Sequence, residues 1–135
     1  MISQNVRIPI IRLYGNVIVP VQVGLTDELV RQLKDDVTRE IERVGAAGLV
    51  LDLTGADAMD SYITGAIRDL SLMARLMGVR TVISSLAPTI AVTLVEMGME
   101  LSGVATALNL EAALEMLRAP EDATEPTVLL EALAG

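Results

Sequence analysis

Leu29, Leu33, Val37, Ile41 and Val44 recur at helical spacing and define one face of a helix. Thr26 supplies a cap for it, Asp27 and Glu28 suit its positive end, and Gly45 ends it. Before it, Ile8 to Tyr14 and Val17 to Val23 are short β-branched runs around Gly15-Asn16, a hairpin-like turn signal. Pro9 and Pro20 assign those strands an edge position or a bulge. Gly48 to Leu53 reads GLVLDL, a continuous apolar run with one acid, which suits a strand covered on both sides. Thr54 to Asp60 is a loop. Ser61 to Met77 is a second helix, with Ile63, Ile67, Leu70, Ala74 and Met77 on one face and Gly78 as its stop. Thr81 to Ile83 is another buried strand, and Pro88 opens a short helix whose apolar stripe is Ile90, Ala91, Leu94, Val95 and Met97 and which Gly98 closes. Val104 to Leu108 is a last short strand, after which Asn109 caps a helix bearing Leu110, Ala113, Leu114 and Leu117.

The order strand, strand, helix, then strand and helix repeated, predicts an α/β fold with helices packed against a mixed, mostly parallel sheet. One domain over residues 1–119 is expected, with Pro120 ending it. The acidic tail 120–135, which contains Pro126, is expected to be a mobile extension.

Composition narrows the chemistry. The chain is 52% hydrophobic, enough for a packed core, but has two Tyr and neither Phe nor Trp. Val, Ile, Leu and Ala must build that core, with Met filling gaps in place of aromatics. There is no Cys and no His, which excludes disulfides, Cys or His zinc sites, thiol nucleophiles and Ser-His-Asp triads. The net charge of −8 makes nucleic acid and anionic membranes poor partners. No apolar run approaches the ~20 residues of a membrane span, and the start lacks a signal-peptide pattern, so a cytoplasmic, soluble protein is expected. No Gly-rich phosphate loop occurs. A receiver-type phosphoaspartate at Asp52 is excluded as well. The first strand ends Tyr14-Gly15-Asn16 instead of in acids, and the only Lys, Lys34, lies in a helix.

The informative stretch runs from Asp52 to Thr64: a buried strand ends, a loop follows, and a helix begins at Ser61. Such loops are where α/β proteins place function. Ser61 reads first as a helix cap. It also reads as a phosphoacceptor, because a helix start offers free N–H groups and a positive dipole end. The two readings are compatible, since an exposed cap hydroxyl is within a kinase's reach. Phosphate would add about −1.5 to −2 charges beside Asp57 and Asp60 and repel a partner packed there. Asp52, Asp57 and Asp60 could alternatively bind Mg²⁺ or Ca²⁺, but the spacing is not that of an EF-hand and solvated loop acids are the simpler reading.

At Asp60-Ser61 the chain resembles the STAS family of anti-sigma-factor antagonists, and within it the RsbS-type stressosome antagonists. The matching stretches are Ile8-Pro9-Ile10 with Leu13-Tyr14, Gly48 to Thr54, Asp60-Ser61, Leu76-Met77-Gly78, and Pro88 to Leu94 with Gly98. The resemblance spans Ile8 to about Leu117. It implies a STAS (SpoIIAA-like) sheet with about four helices mainly on one side, and a non-catalytic scaffold without cofactors. That scaffold would co-assemble with STAS paralogues carrying sensory N-terminal domains, and would self-associate. It would sequester a serine/threonine switch kinase, which phosphorylates Ser61 on stress and leaves. A serine phosphatase would reset Ser61. Asp57, Asp60, Tyr62, Thr64, Ser84 and Ser85 become candidate partner contacts. Thr93 matches a second phosphorylated position of the larger paralogues, although a helix-interior Thr that packs or back-bonds is the simpler reading. A stand-alone anti-anti-sigma factor is the runner-up, and a small-ligand module or enzyme the reading from another class.

Overall fold

The computed structural model describes residues 8–22, 24–56, 61–96 and 103–118, with the side chain of Ser61 excluded. The expected tail, the loop acids Asp57 and Asp60, and the segment around Met97 and Gly98 lie outside them.

The elements in chain order are β1 (Ile11–Leu13), β2 (Asn16–Pro20), α1 (Asp27–Val44), β3 (Gly48–Asp52), α2 (Ser61–Leu76), β4 (Arg80–Ser84), α3 (Pro88–Glu96), β5 (Val104–Ala107) and α4 (Leu110–Arg118). The sheet order is β1-β2-β3-β4-β5, with β1 antiparallel to β2 and the rest parallel.

The hairpin turn falls one residue earlier than Gly15-Asn16. Tyr14 and Gly15 occupy it, both with positive φ (54° and 76°), the pair of conformations that matches the twist of two antiparallel strands. Asn16 pairs with Leu13 and is buried. The first strand is also shorter than expected. Continuing the register Ile11↔Ile18 by two residues sets Pro9 opposite Pro20. Neither has an N–H to give, so the ladder ends.

Strand alternation explains the apolar runs. Val17, Val19, Leu49, Leu51 and Ile83 face a core shared with α1, α2 and α3. Ile18, Val50 and Val82 face α4, which covers the opposite side through Ala113, Leu114 and Leu117. A strand between two helical layers has no polar face, hence GLVLDL. Gly48 permits the close approach of α4, since a Cβ there would stand 2.7 Å from a Leu117 methyl. The fully buried side chains are Leu, Ile, Val and Ala. Of the methionines among the described residues, Met73 and Met116 are half-buried and Met77 exposed, so none fills the core as expected. Met116 packs from the outside against the cluster of Ile18, Val50 and Val82.

Candidate functional site

Pro20, Asp52, Ser84 and Ala107 stand side by side at the carboxyl edge of the parallel strands. Backbone bonds extend this row beyond the strands: Val21 N–H donates to Asp52 O, Leu53 N–H to Ser84 O and Ser85 N–H to Ala107 O. Side chains lock it further. The Ser84 hydroxyl donates to Asp52 Oδ1 at 2.7 Å, and the Thr54 hydroxyl donates to the same oxygen at 3.1 Å. Asp52 thus joins the β3–α2 loop to the end of β4. Ser85 follows with φ 62°, a left-handed conformation that a non-glycine residue holds only when its surroundings fix it.

This corrects the expectation for Ser84. It is fully buried and its hydroxyl is committed to Asp52, so it braces the edge from within and is not available as a surface contact. Ser85, half-buried, lies at the edge itself. The Thr93 hydroxyl donates to the Thr89 carbonyl at 2.9 Å, the back-bonding expected of a helical Thr. Among the described residues no three acids cluster to hold a metal, and no helix is long and apolar enough to cross a membrane.

The sequence places Ser61 at the mouth of a helix, and Ser61 is the first residue of α2. Because α2 follows β3 and packs back against the sheet, this helix start lies at the same carboxyl edge. Tyr62 beside it is exposed and Thr64 is half-buried. Asp57 and Asp60 fall outside the described residues.

Next to this edge runs a groove of about 290 Å³ between α1 and α2, which no sequence spacing announces. Asp27, Val30, Arg31 and Lys34 of α1 line it opposite Tyr62, Gly65 and Asp69 of α2. Its floor is pinned by Lys34 Nζ, which donates to Asp69 Oδ2 at 2.8 Å across 35 residues of chain. Gly65 lies within the helix, where glycine is less favourable than alanine by about 1 kcal/mol.

The hydrogen bond from Lys34 holds the Asp69 carboxyl below its ordinary value of 3.8, against the opposing effect of burial and with help from the Lys34 and Arg68 charges. A carboxyl depressed in the folded state adds stability above its unfolded pKa and loses it as pH falls through the folded value. Both partners are about one-third exposed, so the contribution stays below ~1 kcal/mol. Urea unfolding should find Asp69→Asn less stable than wild type at pH 7, with the gap closing below pH 3.8.

Comparison with known proteins gives one consistent result. The family model described as STAS domain matches residues 7–113. The RsbT co-antagonist protein RsbRA of Bacillus subtilis (strain 168) is 26% identical over 113 residues, covering 83% of this chain and 41% of that protein. The chain therefore spans less than half the length of that curated relative. A chain of a solved stressosome, described as a signal integration and transduction hub, superposes with a TM-score of 0.75 and 35% identity, covering 82% of this chain and 96% of that one. A serine-to-glutamate variant of RsbS from Moorella thermoacetica gives a TM-score of 0.74 and 34% identity, over 84% of this chain and 96% of that one.

Proposed function

Since the chain belongs to the STAS-domain family, we propose that it is a cytoplasmic, non-catalytic stressosome scaffold that holds a serine/threonine switch kinase and releases it when Ser61 is phosphorylated. The observation that carries this reading is the position of Ser61 as the opening residue of α2, at the carboxyl edge where α/β proteins present functional groups, beside an exposed Tyr62. A helix start stabilises an added phosphate locally, while a partner packed on the edge faces its charge. A serine phosphatase resets the site.

Co-assembly with STAS paralogues bearing sensory domains, and self-association, fit a second feature. Leu72 and Leu76 of α2 and Val92 and Val95 of α3 are exposed on successive helices of one layer. Exposed apolar side chains of this kind are available to a contact surface where they lie together. The runner-up, a stand-alone anti-anti-sigma factor, would use the same serine without a large assembly.

Phosphopeptide mapping after incubation with the cognate kinase tests the core of the proposal. Phosphate is expected on Ser61, and phosphate confined to other residues would refute it. Light scattering separates the two assemblies: mixing with the paralogue should give a megadalton particle, whereas a persistent monomer or dimer would favour the runner-up.

A further inference from the structure

The carboxylate at the end of β3 is not needed to hold the sheet. The backbone does that without it: Val21 N–H donates to Asp52 O and Leu53 N–H to Ser84 O, both at 2.9 Å. Ladder bonds of this kind use no side chain, so any strand residue at position 52 would keep them. The rest of the strand, GLVL, is apolar and buried, and an acid at its end costs desolvation unless it is hydrogen-bonded.

What the carboxylate adds lies outside the ladder. Asp52 Oδ1 accepts from the fully buried Ser84 hydroxyl at 2.7 Å and from the exposed Thr54 at 3.1 Å. Oδ2 has no hydrogen-bond partner among the described residues. Ser84 is a fixed point at the end of β4, whereas Thr54 belongs to the β3–α2 loop. Asp52 therefore clamps the first turn of that loop to the sheet. Ala56 N–H closes the turn by donating to Leu53 O at 3.0 Å, which returns Ala56 to the core. Four residues then separate the turn from Ser61.

We infer that Asp52 is a positioning residue for the modification of Ser61, acting through Thr54 to set where the start of α2 is presented to the kinase. The inference rests on the reading of Ser61 as the phosphoacceptor and names the group that holds it in place. Phosphoryl transfer is catalysed almost entirely by placement and electrostatics, and a displacement of about 1 Å can cost about 100-fold in rate. Ser84, enclosed by the sheet, gives the clamp a rigid base. Asp52 itself is half-buried and sits behind the loop, so its loss alters the aim of the hydroxyl more than the surface that a kinase grips. The effect belongs in kcat and not in KM.

Steady-state phosphorylation by the kinase that modifies the wild-type chain, with the chain as the varied substrate, tests this. Asp52→Ala should lower kcat about tenfold or more while KM stays within about twofold. Asp52→Asn keeps an oxygen that accepts from both hydroxyls and sets its NH₂ where Oδ2 had no partner, so kcat should return to within about threefold of wild type. Rescue by an uncharged acceptor separates a hydrogen bond from a charge. Ile41→Val, in the core at the far end of α1, should lower Tm and leave kcat unchanged, because a weakened fold alone does not misplace Ser61. If Asp52→Ala fails to fold, Thr54→Val cuts the clamp on the exposed loop and should itself lower kcat. Wild-type kcat for Asp52→Ala or, where that variant does not fold, for Thr54→Val would overturn the inference. So would an Asn variant as slow as the Ala one, or a loss in Ile41→Val equal to that in Asp52→Ala. In each of these cases Ser61 of the wild type is still phosphorylated and only the positioning role falls. Absence of phosphate on Ser61 of the wild type would bring down the functional reading, and this role with it.

Discussion

Ser61→Ala is expected to take up no phosphate from the switch kinase and to keep that kinase bound under conditions that release it from the wild type. The argument is electrostatic. Phosphorylation adds about −1.5 to −2 charges at pH 7. Two like charges 4 Å apart near a protein surface repel by up to about 4 kcal/mol, far more than the 1.4 kcal/mol of a tenfold change in affinity. The helix start on which Ser61 sits accommodates the dianion, so the modified chain stays folded and the cost falls on the partner. Ser61→Asp should weaken binding less than phosphate does, because one carboxylate carries half the charge and fewer acceptors. Titration calorimetry on the unmodified, phosphorylated, Ala and Asp forms should rank their Kd values with Ala equal to unmodified, Asp higher and phosphoserine highest. Normal release by the Ala form would make Ser61 the wrong residue.

The largest effect on stability is expected from Leu51→Ala. Leu51 is fully buried at the centre of the sheet, in register with Val19 of β2 and Ile83 of β4 and packed in the core beneath α1, α2 and α3. Neighbours fixed on two flanking strands cannot close around the vacated volume, so the cavity persists and the cost should be about 3 kcal/mol. Thermal unfolding should fall by roughly 10 °C. Because Leu51 precedes Asp52, which ties the β3–α2 loop to the end of β4 through Thr54 and Ser84, phosphorylation of Ser61 should slow as well. A loss below 1 kcal/mol would mean that the sheet centre repacks freely.

Local chemistry was legible wherever one residue could decide it. Thr26 caps α1 as expected, its hydroxyl accepting from Leu29 N–H, and Gly45 ends the helix in a left-handed conformation. The run GLVLDL betrayed a strand covered on both faces. Pro88 opens α3 and Asn109 caps α4 through Ala112 N–H. What stayed hidden required two distant segments at once. Ser84 looked like a loop residue until β4 was seen to continue through it and turn its hydroxyl onto Asp52. The turn at Tyr14-Gly15 depends on the register of β1 against β2, which the Gly15-Asn16 signal misplaces by one residue. The groove at Gly65 is spanned by Lys34 and Asp69, which meet across two helices, a pairing that no spacing reveals.

The short β1 and the opposed prolines also govern how such domains can meet. A sheet margin invites backbone pairing with any passing strand, and long flat margins seed aggregates. Here the β1 margin is three residues long, with the Tyr14-Gly15 turn after it and Pro9, which has no N–H to offer, two residues before it. Pairing of copies along this rim is thereby disfavoured, which leaves helical faces for the assembly proposed above. A contact of that kind would yield to one added charge more readily than a zipped sheet.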